Sequence, residues 1–346
     1  MRILQAIAGA PHGGAERFFE RLVPALSRAG IEQRVLIRKD DRRAALLREQ
    51  GLDVHQLRFG GKLDFLTPMA FARHTRDFKP DIVFTWMSRA SGMAPKSKAG
   101  QPGGFVRVAR LGGYYDLKYY QGCDYLVGDT QSIVDYLTAE GWPEGKAVYL
   151  PNFVSDTPGT PIPRKELYIP ESAPILLGLG RLHTNKAFDV LLKALVHVPD
   201  AYLLLAGVGP EQAALEALAT KLGIKPRVRF LGWRDDVPRL FATANLFVHP
   251  ARHEPLGNVV IEAWAQRVPV VCTASQGPAV LIEDGVNGLL TPLDQPEPLA
   301  AAIRQALSSA ELRTALADAG RAVYEEQYTE QAVVAAYRRF FESVLP

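Results

Sequence analysis

Cysteine is nearly absent: there are two in 346 residues, Cys123 and Cys272, and neither stands at metal-ligand spacing. That excludes a disulfide framework and a zinc site, and it suits a reducing cytosol. No apolar run approaches the ~18–20 residues that a membrane-spanning helix needs. The opening MRILQAIAGAPHGGAERFF has a short apolar stretch, broken by Pro11 and Gly13, with no cleavage-site pattern. It reads as a first strand and not as a signal peptide. A lysine-bearing phosphate loop is missing, and Gly9, Gly13 and Gly14 do not make the dinucleotide fingerprint Gly-x-Gly-x-x-Gly. Aromatic and basic residues do not interleave as in a nucleic-acid module. With 47% hydrophobic and 22% charged residues the composition is ordinary for a globular protein, which excludes disorder, collagen and coiled coil.

What is present is alternation. Met1–Ala8, Gln33–Ile37, Val54–Leu57, Asp81–Trp86, Val106–Leu111 and Tyr125–Gly128 read as strands. Between them lie helices, the first carrying Phe18, Phe19, Leu22, Val23 and Leu26 on one face. Residues 156–174 hold Pro158, Pro161, Pro163, Pro170 and Pro174, which predicts a linker. A second series follows, with strands at Ile175–Gly180, Ala201–Ala206, Val228–Leu231, Leu246–His249 and Val268–Cys272. It ends in a helix over Thr329–Leu345. The expected fold class is α/β, two tandem Rossmann-like doubly wound parallel sheets. Ligands of such sheets bind beyond the carboxyl ends of the strands, so the crevice between the two is the expected site.

Charge is divided unevenly. Residues 1–170 hold 24 Lys and Arg against 18 Asp and Glu, and the rest hold 16 against 19. A basic first half suits an anionic membrane surface, an anionic acceptor, nucleic acid or no partner at all.

Three segments carry chemistry. In His253-Glu254-Pro255-Leu256-Gly257-Asn258-Val259-Val260-Ile261-Glu262 a strand leads through a loop to a helix start. Pro255 suits the first turn, Gly257 permits close approach of a ligand, and the helix terminus is an anion site. Glu254 and Glu262 could flank one ligand, because carboxylates accept hydrogen bonds in pairs from vicinal hydroxyls. A helix-start acid and an incidental second acid are the alternative reading. In Gly178-Leu179-Gly180-Arg181-Leu182-His183-Thr184-Asn185-Lys186 two cations flank a loop before a helix, as a diphosphate leaving group requires. Two surface basic residues remain the alternative. Gly13-Gly14 after the first strand is a weaker phosphate loop. The segment Phe230–Val237, with Trp233 and Arg234, could supply a planar wall and backbone groups to a nucleobase, and a core or rim position is the alternative for Trp233.

Together these segments resemble retaining glycosyltransferases of glycosyltransferase family four, with the GT-B fold, of the bacterial cell-surface polysaccharide or lipopolysaccharide type. The resemblance covers nearly the whole chain and is strongest over Ile175–Ala306. It implies that residues 1–155, with a final helix 329–346 crossing back, bind the acceptor. Residues 175–328 would bind the donor. Glu254…Glu262 resembles the family's Glu-x7-Glu element, implying that Glu254 contacts the donor sugar and Glu262 the ribose. Arg181 and Lys186 match its diphosphate pair, and Gly13-Gly14 its first-domain glycine loop. Many relatives carry a first-domain histidine near the sugar. The corresponding stretch Ala109–Tyr120 has none. That role is not transferred, and backbone at Gly112 or Gly113, or Tyr114, is left to fill the place.

The resemblance implies metal-independent hexosyl transfer, with retention, from a UDP- or GDP-sugar to a saccharide, lipid-linked or phosphorylated acceptor, with no other cofactor. Arg181, Lys186 and Glu254 are the expected catalytic residues. Gly13, Gly14, Gly180, Trp233, Arg234, Leu256, Gly257, Asn258, Val259 and Glu262 complete the expected donor site. Arg89, Tyr114, Tyr115, Asp116 and Lys118 are expected on the acceptor. The helix Arg38–Arg48, with Arg42, Arg43 and Arg48, is expected to rest on anionic lipid, placing a cytoplasmic enzyme on the inner face of the membrane. Nucleic acid is not an expected partner. The rival readings are a nucleotide-sugar 2-epimerase, a two-domain sugar-binding protein and a nicotinamide oxidoreductase. Nucleotide sugar supplied without acceptor separates the first from a transferase.

Overall fold

A computed structural model describes every residue except His12, Lys62, Lys98, Pro102 and Pro346. The chain divides into two compact units, Met1–Phe153 with Glu330–Pro346, and Val154–Thr329.

Unit 1 runs β1 (Arg2–Ile7), α1 (Gly14–Arg28), β2 (Glu32–Arg38), α2 (Asp41–Glu49), β3 (Asp53–Leu57), α3 (Leu66–Phe78), β4 (Ile82–Trp86) and α4 (Met87–Met93). It continues through β5 (Val106–Leu111), β6 (Tyr125–Gly128), α5 (Gln131–Ala139) and β7 (Ala147–Tyr149). The seven strands form one sheet in the order β3-β2-β1-β4-β5-β6-β7. Every strand pair is parallel. Helices on both faces explain why β4 and β5 are buried along their whole length, β5 with Arg107 and Arg110 among its residues. Caps fix the helix starts: Asp40 accepts from the Arg43 N–H at 3.0 Å, and Thr130 from the Ile133 N–H at 3.2 Å.

Unit 2 runs β8 (Ile175–Leu179), α6 (Phe188–Val196), β9 (Tyr202–Ala206), α7 (Gln212–Lys221), β10 (Val228–Gly232), α8 (Val237–Thr243) and β11 (Leu246–His249). Then come α9 (Asn258–Ala265), β12 (Val270–Thr273), α10 (Gln276–Leu281), β13 (Leu289–Thr291), α11 (Pro296–Ser308) and α12 (Ala310–Gln327). Its parallel sheet has the order β10-β9-β8-β11-β12-β13. In both sheets the strand order reverses beside the first strand, between β1 and β4 and between β8 and β11. The loops leaving those strands are where an α/β sheet binds its ligand.

The last helix, α13 (Glu330–Ser343), belongs to unit 1. It buries Val333, Tyr337, Phe340 and Phe341 in the core that holds Ile3, Phe84 and Trp86. Beneath it lies a buried charge. The Arg110 Nε–H donates to the Tyr337 hydroxyl at 3.0 Å and Nη2 to Asp129 Oδ2 at 3.1 Å, with Asn152 Oδ1 a further acceptor. The guanidinium also stacks on Phe18 and Trp86.

Several expectations need correction. Residues 156–174 are not a free linker. Ile162, Leu167, Ile169 and Ala173 are buried in the unit 2 core, and Gly159 packs so closely on the Pro238 backbone that a Cβ would lie 2.2 Å from its carbonyl carbon. Prolines here shape a packed strap. Arg38 ends β2, and the helix begins only at Asp41. Arg43 is fully buried, ion-paired with Glu20 at 2.8 Å and Asp40 at 3.2 Å, so it offers nothing to a lipid surface.

Candidate active site

The loops leaving β8 and β11 flank the reversal point of the second sheet and are laced together. The Asn185 carbonyl accepts from the Arg252 N–H at 2.8 Å and the His253 N–H at 3.2 Å. The Arg252 guanidinium donates to both carboxylate oxygens of Asp189, each at 2.9 Å, and to the Thr184 carbonyl at 2.8 Å. Glycines allow the neighbouring β9 loop to close in. A Cβ on Gly207 would lie 1.8 Å from the Gly180 carbonyl oxygen, and one on Gly209 would lie 2.2 Å from that of Leu182.

This lacing brings Lys186 and Glu254 into contact. Lys186 precedes α6 across an Ala187 in the left-handed region, and its Nζ donates to Glu254 Oε2. The same oxygen meets His249 Nε2 at 3.1 Å, and Glu254 Oε1 accepts from the Gly257 N–H at 3.3 Å. Glu254 is 8% exposed and His249 not at all. Burial alone would raise the Glu254 carboxyl, but the His249 hydrogen bond and the Lys186 charge outweigh it and hold it at about 2. Burial pushes the His249 imidazole below its ordinary value, with Glu254 opposing. A neutral imidazole therefore donates its Nε2–H to a carboxylate that is ionised at neutral pH. Such a carboxylate accepts hydrogen bonds and has no proton to give.

The loop carrying Glu254 is braced by the next one. Its N–H donates to Gln276 Oε1 at 3.3 Å, and its carbonyl accepts from the Gly277 N–H at 2.7 Å. Gly277 leaves no room for a side chain, since a Cβ would lie 2.6 Å from the Leu256 carbonyl carbon and 2.9 Å from the Gly257 nitrogen. Gly257 itself has φ 73°, a conformation that glycine adopts without strain, and it starts α9. Leu256, Asn258 and Val259 flank that helix start, whose leading N–H groups have no intrahelical acceptor. Glu262 is half-buried in the second turn of α9.

The remaining predicted residues are more scattered. Arg181 follows Gly180 at the end of β8 and is exposed. Trp233, beyond β10, is 56% exposed, and its indole N–H donates to Asp235 at 2.9 Å. Arg234 is held by both oxygens of Asp236, at 2.7 and 2.6 Å, so its charge is already matched.

In unit 1, Gly13 and Gly14 stand at the start of α1. Gly13 is small because Glu16 needs the space: a Cβ would lie 2.1 Å from Glu16 Oε2, while the Glu16 Oε1 accepts from the Ala10 N–H at 2.7 Å. A Cβ on Gly14 would meet nothing within 4 Å. Arg89 is exposed on α4, with Nη1 3.5 Å from the Phe59 carbonyl. Tyr114 is exposed, packs edge-on against Tyr136 and donates to Ser132 at 3.3 Å. Tyr115 is half-buried. Asp116 and Lys118 pair with each other at 2.5 Å on an exposed turn. His249, Asp189, Arg252, Gln276 and Gly277 were not expected at the site. The one signal for His249 is its place as the last residue of a strand at the reversal point.

Among the described residues no helix is long and apolar enough to cross a membrane, and no group of three or more His, Cys, Asp or Glu is placed to hold a metal ion.

The known proteins that this chain is similar to are glycosyltransferases. Residues 160–323 match the family Glycosyl transferases group 1, and residues 13–152 match the Glycosyl transferase 4-like domain. The chain is 36% identical over 341 residues to the lipopolysaccharide core biosynthesis glycosyltransferase LpsE of Rhizobium meliloti, covering 96% of each. Among solved structures it is similar to a glycosyltransferase from Rickettsia africae, with TM-score 0.88 and 18% identity over 99% of this chain and 98% of that one. It is also similar to Anabaena Alr3699/HepE in complex with UDP, with TM-score 0.83 and 21% identity over 99% of each chain.

Proposed function

The chain belongs to the group 1 glycosyltransferases, with the GT-B fold, and from that premise we propose that it is a retaining, metal-independent hexosyltransferase of the family-four kind. It takes a UDP- or GDP-sugar as donor and a saccharide, lipid-linked or phosphorylated acceptor. Its place is lipopolysaccharide core or surface polysaccharide synthesis on the cytoplasmic side. The acceptor and the setting rest on the likeness to LpsE, and UDP as donor base on the Anabaena neighbour.

The observation that carries the reading is the contact of Lys186 with Glu254 across the reversal point of the second sheet, with His249 behind it. As the bond from the anomeric carbon to the diphosphate oxygen breaks, negative charge builds on the leaving group. Arg181, Lys186 and the helix start at Leu256, Gly257, Asn258 and Val259 supply positive potential there. Glu254, ionised, accepts hydrogen bonds from donor sugar hydroxyls, and Glu262 from the ribose. In a front-side displacement the new bond forms from the acceptor oxygen to the anomeric carbon on the departing face. The acceptor proton passes to the leaving phosphate oxygen, so no protein base is needed. Arg89, Tyr114, Tyr115, Asp116 and Lys118 in unit 1 are the acceptor candidates.

Thermal shift against UDP, GDP, ADP, CMP and NAD, repeated with Lys186→Ala, tests the donor site. Ligand at ~100 times its dissociation constant stabilises by about 2.7 kcal/mol. A shift with one nucleoside diphosphate, reduced in the variant, is expected, and a shift with NAD alone overturns the reading. Product anomers followed by NMR test retention, and turnover after chelation tests metal independence.

A further inference from the structure

Large apolar side chains are held in water at one place in unit 1. Leu63 is 92% exposed, Phe65 71%, Leu66 42% and Met69 67%, all within seven residues where the chain enters α3. Scattered exposed apolar residues mean little, but a contiguous group of this size marks an interaction surface.

The segment is built to present them. Phe59 and Phe71, on either side, are fully buried and anchor it to the core. Asp64 ties the turn shut: one oxygen accepts from the Gly60 N–H at 2.7 Å and the Thr67 hydroxyl at 2.6 Å, and the other from the Thr67 N–H at 3.0 Å. The Thr67 oxygen in turn accepts from the Phe59 N–H at 3.0 Å. Leu63 and Phe65 thus lie on either side of a residue whose carboxylate is wholly engaged with its own turn.

Charge selects the occupant. From Arg58 to Lys79 the cations are Arg58, Lys62, Arg73, Arg76 and Lys79 and the acids Asp64 and Asp77, a balance that stays positive although Asp77 lies 3.7 Å from Arg76. Arg58, Arg73 and Arg76 are exposed. Along the outer face of α3 the residues run Leu66, Met69, Arg73, Arg76, apolar at the start and cationic a turn further on. An apolar tip with a positive collar matches acyl chains beneath anionic headgroups.

We propose that the Leu63–Met69 tip of unit 1 inserts into an anionic lipid surface. This places the membrane contact on α3 and its leading turn, where the basic stretch around Arg42 and the buried Arg43 had been expected to provide it. The inference goes beyond the transfer reaction and stands without it.

Vesicle flotation tests it, using phosphatidylcholine alone and phosphatidylcholine with phosphatidylglycerol, at low and high salt. The wild type is expected to float with the anionic vesicles at low salt. Leu63→Ser/Phe65→Ser/Met69→Ser is expected to lower the partition coefficient at least about tenfold. Its thermal midpoint and its transfer to a water-soluble acceptor are expected to be unchanged. Arg73→Glu/Arg76→Glu should remove the preference for anionic over neutral vesicles. Three results overturn the proposal: no flotation of the wild type, equal flotation of the triple serine variant, or a concentration-dependent dimer that this variant abolishes. Because transfer is assayed on a soluble acceptor, failure of the donor-site reading shows separately.

Discussion

Replacing Lys186 by methionine tests the central contact. Without ligand, Lys186 does not wait as a free cation, because its charge neutralises a Glu254 side chain that is only 10% exposed. The fall of the Glu254 carboxyl from 4.5 to about 2 corresponds to about 3 kcal/mol in favour of its ionised form. Lys186 shares that with His249. In Lys186→Met the buried carboxylate keeps only the His249 and Gly257 hydrogens, so a loss of about 2–3 kcal/mol is expected at pH 7. Glu254→Gln should cost less, about 1 kcal/mol, because Lys186 can turn its ammonium to solvent. The double variant should then be more stable than the sum of the two losses by about 1–2 kcal/mol. The sign with pH follows. Stabilisation from an ionised Glu254 is complete above pH 4.5 and is lost as pH falls through about 2. In Lys186→Met the carboxyl takes up its proton at higher pH, so the deficit relative to wild type shrinks on acidification. Urea unfolding at pH 7 and pH 4 measures both effects. Transfer should drop about 10²–10³-fold in each single variant and stay low in the double one. Additive stabilities within ~0.5 kcal/mol, or wild-type turnover in Lys186→Met, would refute the reasoning.

Gly277→Ala should displace the Glu254 loop, because its Cβ would press on Leu256 and Gly257. Expected are a loss of about 1–3 kcal/mol in thermal unfolding and a raised donor KM. His74 is held at about 4 by burial, aided by His55, Arg34 and Arg73 and opposed by Asp53. The unfolded chain therefore takes up that proton first, and stability should fall from pH 6.5 towards 4. His74→Phe should flatten that slope by about 1–2 kcal/mol in urea titrations. Tyr337→Phe removes the acceptor of the buried Arg110 Nε–H and should cost about 1–3 kcal/mol. Hydrogen exchange should show α13 opening more readily in that variant, whereas unchanged protection would mean that packing alone holds the helix.

Most long elements were legible because burial on both faces writes largely apolar runs, as in β4, β8 and β9. What escaped was short. α4 spans Met87–Met93, and β7 and β13 have three residues each, too few for any periodicity to register. The proline count of residues 156–174 suggested a linker because composition is blind to the Ile162, Leu167 and Ile169 side chains that pin the segment down. At the candidate site, the spacing of Glu254 and Glu262 and the loop holding Arg181 and Lys186 could be read directly. The contact between Lys186 and Glu254 could not, since they are 68 residues apart and meet only because β8 and β11 are neighbours. Arg43 and Arg34 look alike in sequence, yet only Arg43 has Glu20 and Asp40 to accompany it into the interior.

The return of α13 to unit 1 has a consequence for synthesis. The chain completes seven strands of the first sheet by Tyr149, then spends residues 154–329 on the second unit before supplying Tyr337. Until that residue leaves the ribosome, the face that α13 covers stays bare and the Arg110 Nε–H has no Tyr337 oxygen to meet. The second unit is contiguous and can close as soon as it emerges, so it should finish folding before the first, reversing the usual N-to-C order.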